Sequence, residues 1–259
     1  MKKFESREIM KEDTAIHIDR LTVAYEAQPV LWDISLGFRK GKMTAIVGPN
    51  GAGKSTMIKS MLGLVEPVTG KVAYRDRANQ DVSYKDLKNR IAYVPQNTSV
   101  DWDFPTTVQD VVLMGRYGHL GWFKRPRKKD REIAKQMLLK VGLPTFASRQ
   151  ISQLSGGQRQ RVFLARALAQ EADVYIMDEP LAGVDMKTER IIMKLLKQLV
   201  KEGKTVLVVH HDLETVETYF DDIVFINQEV IAAGPVDETF SKDTIRQTYH
   251  RDRNLGEGD

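Results

Sequence analysis

The chain has 259 residues, 42% apolar and 29% charged, with a net charge of +4 and no cysteine. That is enough for one large α/β domain or two small ones with ample core. It excludes a disulfide framework and a thiolate metal site and fits a reducing compartment, while the mild positive balance does not by itself argue for nucleic acid.

Residues 1–14 are polar and read as loose, and the charged residues 1–8 lack the apolar core of a secretory signal. No apolar run approaches the ~20 residues that span a bilayer, so work at a membrane would require another chain. Ile16-His17-Ile18 and residues 21–25 alternate like strands with one buried face, and Leu31, Ile34, Leu36 and Phe38 continue the pattern towards Gly41. These predict an antiparallel β layer beside a main sheet.

The short apolar strand 43–47 leads into Gly48-Pro49-Asn50-Gly51-Ala52-Gly53-Lys54-Ser55-Thr56, which fits the P-loop pattern G-x-x-x-x-G-K-[ST] throughout, and a helix follows. Glycines let such a loop curl its N–H groups inward onto phosphate oxygens, and the helix N-terminus adds to the field. Lys54 is expected on the β- and γ-phosphates and the Ser55 hydroxyl on Mg²⁺. The stretch predicts a nucleoside triphosphate site.

Pro67-Val68-Thr69-Gly70 reads as a turn and residues 71–74 as a strand; Ile91-Ala92-Tyr93-Val94 is a further strand stopping at Pro95-Gln96. Residues 97–154 are aromatic, basic and helical in character. Val108, Val111, Val112 and Met114 fit one helix; Ile133, Met137, Leu138 and Val141 fit another, ended by Gly142 and Pro144. A helix opens at Ser155-Gly156-Gly157 and runs to about Ala169. The strand 174–177 ends in Asp178-Glu179. The stripe Ile191, Ile192, Leu195, Leu196, Leu199 and Val200 predicts a helix packed on the sheet. A third apolar run, 205–209, ends in His210-His211-Asp212, so a parallel sheet buried on both faces is expected. Residues 223–226 and 230–233 look like a closing hairpin, and the tail from Arg251 is polar and expected to fray. There is no internal repeat.

Ligands of α/β sheets sit at the carboxyl ends of strands. Asp178 closes an apolar strand as a Walker B carboxylate must, near the Mg²⁺ shell, and Glu179 could orient or deprotonate an attacking water. Leu154-Ser155-Gly156-Gly157-Gln158 places two glycines and a serine at a helix N-terminus, a second phosphate cradle.

A P-loop followed by that second cradle resembles the ABC ATPases. Gln96 after Tyr93-Val94-Pro95, the run Leu181-Ala182-Gly183-Val184-Asp185, and a histidine after the next strand are further marks of that family. The resemblance covers about residues 16 to 235. It implies one nucleotide-binding domain over 1–259: a RecA-like P-loop core with its β layer (1–96 and 155–259) and a helical subdomain (97–154). It also implies a head-to-tail homodimer with two ATP molecules between the subunits, each with Mg²⁺. Ser155, Gly156, Gly157 and Gln158 would then serve the partner's γ-phosphate, and Asp185 would act across the dimer. Tyr25 matches the aromatic that stacks on adenine, with a strand-end core tyrosine as the alternative. Gln96 would touch Mg²⁺ or the attacking water and sense a membrane permease. His211 matches the switch histidine, although His210 precedes it.

Residues 100–105, with Trp102 and Phe104, and Met114-Gly115-Arg116-Tyr117 are similar to ATPases of bacterial manganese, zinc and iron importers, the manganese type above all. The implied protein sits peripherally on the cytoplasmic face of the bacterial membrane. Its permease would dock near Gln96 and the helical subdomain, and a solute-binding protein would act indirectly. Trp102, Phe104, Trp122 and Phe123 either line the docking groove or fill the insert's small core. The basic run 124–131 is either a solvated helix start or a contact for lipid or permease. The five histidines show no metal-ligand spacing, so the cargo should not touch this chain. An importer of iron chelates or haem is one alternative; a cytosolic ABC ATPase acting on nucleic acid is another, for which no binding motif is found.

Overall fold

The computed structural model describes residues 14–26, 28–76, 78–96, 105–120 and 125–250. Trp102, Phe104, Trp122, Phe123, residues 1–13 and the tail from Arg251 lie outside them. The first half of the chain runs β1 (Thr14–Tyr25), β2 (Gln28–Arg39), β3 (Met43–Val47), α1 (Lys54–Met61), β4 (Thr69–Arg75), β5 (Asp81–Val82), α2 (Tyr84–Leu87) and β6 (Ile91–Val94). Next come α3 (Val108–Met114), α4 (Lys128–Lys140), α5 (Gly156–Ala169), β7 (Val174–Met177), α6 (Met186–Lys201) and β8 (Thr205–Val209). The chain closes with α7 (Val216–Tyr219), β9 (Asp222–Asn227), β10 (Glu229–Pro235), α8 (Val236–Thr239) and α9 (Lys242–Tyr249).

Two sheets form. One is antiparallel, in the order β2-β1-β4-β5; the other has six strands, β10-β9-β3-β8-β7-β6, parallel except for β10. Every residue of β3, β7 and β8 is buried, as expected of strands covered on both faces. Strand alternation then divides these residues between two cores. Met43, Ala45, Val47, Tyr175, Met177, Val206 and Val208 face the helices α3 to α6. Ile46, Ile176, Leu207 and Val209 face α1 and the antiparallel layer, where Ile16, Ile18, Leu21, Leu31, Ile34 and Phe38 meet them.

Several sequence expectations shift. β1 already begins at the buried Thr14, and β4 begins at Thr69-Gly70, which sequence alone reads as a turn. The closing hairpin is present, but β9 also lies parallel to β3, putting it inside the main sheet. Met114 and Ile191 are 36% and 37% exposed; Leu113 and Met193 take the buried positions.

The helical segment is fastened by close backbone approach and one buried cation. A Cβ on Gly115 would lie 2.2 Å from the Arg166 carbonyl, so only glycine lets the end of α3 reach α5. The next residue, Arg116, is buried and donates to Asp130 Oδ1 at the start of α4 (3.2 Å), the Ala169 carbonyl (2.7 Å) and Glu171 Oε2 (2.6 Å). The Gly115-Arg116 pair therefore ties three helices together.

Candidate functional site

The loop between β3 and α1 turns at Gly51 and Gly53, whose φ values of +79° and +91° suit glycine. It is held from below. A Cβ on Gly48 would lie 2.0 Å from the Ile226 carbonyl, and one on Gly53 would lie 2.4 Å from Leu31 Cδ2. Gln228 N–H donates to the Ala52 carbonyl at 3.0 Å, bracing the loop from the β9–β10 turn. Lys54 is buried, and its Nζ donates to the Gly48 and Pro49 carbonyls at 2.8 Å each. Burial lowers the pKa of this ammonium, against the pull of Glu179 and Asp178.

Asp178 is 3% exposed, and its Oδ1 has no hydrogen-bond partner. Burial raises its pKa, the Ser55 hydroxyl opposes that by hydrogen bonding, and Glu179 adds to the rise. An orphaned buried carboxylate oxygen beside a hydroxyl fits a hard divalent cation. Among the described residues no group of three or more His, Cys, Asp or Glu could cage a metal. A cation at Asp178 and Ser55 must therefore share its ligands with phosphate oxygens or water.

Glu179 has φ +53°, a strained setting for a side chain of this size. Its carboxylate joins two strand ends: Gln96 Nε2 donates to Oε2 at 2.8 Å, and His211 Nε2 lies 2.7 Å from Oε1. The adjacent histidine is different. His210 is buried, its ring is 5.0 Å from that of Phe220, and Nε2 lies 2.8 Å from Thr215 Oγ1. Burial lowers its pKa. Of the two, only His211 reaches the carboxylate.

Ser155 caps α5. Its Oγ accepts from Gln158 N–H at 3.3 Å, while Gln158 Oε1 accepts from Ser155 N–H at 3.0 Å. Gly157 faces the turn 181–185; a Cβ there would lie 3.4 Å from the Gly183 carbonyl. Asp185 caps α6, accepting from the Thr188 N–H (2.9 Å) and hydroxyl (2.8 Å). Tyr25 ends β1 and is 46% exposed, so its ring is available for stacking.

The structure thus brings Gln96, Asp178, Glu179 and His211 to the carboxyl ends of β6, β7 and β8, beside the loop that follows β3. Sequence reasoning missed Ile226, Gln228 and Tyr249, whose hydroxyl faces the Gly48 N–H from α9. These contacts span some 200 residues of chain and leave no local pattern.

Residues 31–182 match the model of the ABC transporter family. The chain is 55% identical to the manganese transport system ATP-binding protein MntB of Bacillus subtilis (strain 168), covering 94% of this chain and 98% of that protein. It is 51% identical to the zinc transport system ATP-binding protein TroB of Treponema pallidum (strain Nichols), over 93% and 89%. Among solved structures, an inward-facing putative metal-chelate type ABC transporter superposes with a TM-score of 0.78 at 28% identity, over 92% of this chain and 90% of that one. A dimeric ATP-binding cassette bound to ADP and Pi gives 0.74 at 29%, over 85% and 98%.

Proposed function

The chain belongs to the ABC transporter family as one of its ATPase cassettes, and from that premise we propose that it energises import of a divalent metal ion, manganese foremost, through a separate membrane permease. The observation carrying the metal assignment is identity above 50%, over nearly the full chain, to ATP-binding proteins of manganese and zinc systems. Among the described residues no helix is long and apolar enough to cross a membrane. In this reading the cassette works from the cytoplasmic face of the bacterial membrane, residues 97–154 forming the helical subdomain that meets the permease and a solute-binding protein delivering the ion outside.

ATP lies on residues 48–56, with Tyr25 against the adenine. Inward N–H groups and Lys54 hold the β- and γ-phosphates. Ser55 and Asp178 would hold Mg²⁺, with Gln96 as a further candidate ligand, and the bound ion would supply charge neutralisation at the phosphoryl oxygens. Glu179, aimed by Gln96 and His211, orients a water for in-line attack and accepts its proton. His211 reaches the γ-phosphate side. Ser155 through Gln158 close on a second copy's γ-phosphate, and Asp185 lies at that junction, so two ATP molecules are shared by a head-to-tail homodimer. This division of labour is supported by the capped, glycine-lined start of α5, a helix N-terminus that lies beside the turn 181–185.

The test is metal uptake by a bacterium lacking its own manganese importer, supplied with this chain and its co-encoded permease. Manganese accumulation should return with the wild-type chain and fail with Lys54→Ala. Restoration of ferric-chelate or haem uptake without manganese or zinc uptake would overturn the assignment.

A further inference from the structure

Helix α6 carries five cations against one acid, Glu189. Arg190, Lys194, Lys197 and Lys201 recur at i, i+4, i+7 and i+11, so they share one face over about 16 Å. With Met193 and Tyr219 they border a hollow of ≈ 270 Å³. All four are exposed. Among the described residues none makes an ion pair, although an acid one turn away would stabilise such a helix. Glu202, just past the end of α6, has its carboxylate engaged by Gln198 Nε2 at 3.0 Å. Lys197 Nζ donates to the Thr218 carbonyl at 2.8 Å and sits 5.4 Å from the centre of the Tyr219 ring. It is therefore fixed, and Arg190, Lys194 and Lys201 are left facing outward.

We propose that this groove docks an acidic amphipathic segment of a partner protein. One apolar side chain of that segment fills the hollow over Met193 and Tyr219, and carboxylates spaced by helical turns meet Arg190, Lys194 and Lys201. Charge complementarity selects the occupant: the groove has uncompensated cations along its rims and apolar atoms in its floor. A nucleic-acid strand is disfavoured because the groove's one aromatic ring is covered by Lys197, leaving no stacking platform. A bilayer is disfavoured because the apolar floor is recessed between the cations.

The test uses the full chain and a fluorescent synthetic helix of about 15 residues, with glutamates matched to the i, i+4, i+7, i+11 stripe and leucines on the adjoining face. Anisotropy should report binding that weakens at least about tenfold in Lys194→Glu/Lys201→Glu, and more at about 0.05 M than at 0.3 M salt. ATP turnover of the variant should stay at the wild-type level. Oligothymidylate and phosphatidylglycerol vesicles should show no response that the variant abolishes. Absence of peptide binding, binding indifferent to the variant, or equal binding of a peptide with serine for leucine would overturn the proposal. A variant-sensitive response to the oligonucleotide or the vesicles, in place of the peptide, would assign the groove to that occupant instead.

Discussion

Asp178→Asn should stabilise the nucleotide-free protein while removing its response to Mg²⁺. The carboxylate is 3% exposed, its Oδ1 has no partner, and burial with the neighbouring Glu179 opposes its charge. A buried polar atom left unsatisfied costs about 1–3 kcal/mol, and more when charged. Asparagine keeps the shape and an acceptor for the Ser55 hydroxyl but removes the charge. The expected gain is about 1–2 kcal/mol, or roughly 3–6 °C in melting temperature for a chain of this size. The wild type should gain a further ~2.7 kcal/mol with Mg·ATP at about 100 times its Kd. The variant should lose most of the difference between ATP with Mg²⁺ and ATP with EDTA. Thermal melts under these conditions measure both effects. A variant that melts at or below the wild type without nucleotide, or that keeps the full Mg²⁺-dependent shift, would refute the assignment of Asp178 as the cation's anchor.

Two further perturbations probe the walls of the site. Gly48→Ala places a methyl 2.0 Å from the Ile226 carbonyl, so the variant should lose about 2 kcal/mol or more in urea unfolding and bind ATP at least about tenfold more weakly. His210 is held neutral by burial, with its pKa below the ordinary value. Its contribution to stability is therefore present above about pH 6.5 and is lost as pH falls through the folded pKa. His210→Gln should flatten the decline in the urea midpoint between about pH 7.5 and 5.5.

Legibility from sequence followed the range of the interactions. The P-loop, the Asp178-Glu179 strand end and the Ser155 cap are built from neighbours in the chain, so residue type and spacing revealed them. The choice between His210 and His211 turned on which side of a strand end faces Glu179. Strand alternation resolves this only in the structure, where His210 meets Phe220 and Thr215. The similarity at Met114-Gly115-Arg116-Tyr117 was visible without its physical cause: Gly115 permits contact with α5, and Arg116 joins three helices. β9 read as half of a hairpin, because pairing with β3 across the chain leaves no local trace. Thr69-Gly70 read as a turn because glycine there marks a close approach; a Cβ would meet the Arg20 carbonyl at 2.3 Å within the antiparallel layer.

In the proposed mechanism two copies share each ATP and Glu179 directs the water. Mass in solution with Mg·ATP, measured for wild type and Glu179→Gln alongside turnover, tests it most directly. With ATP, a dimer should form and persist in the variant, with turnover reduced by about 10² to 10⁴. Normal turnover in the variant, or monomers in both proteins with ATP, including after co-expression with the permease, would contradict it.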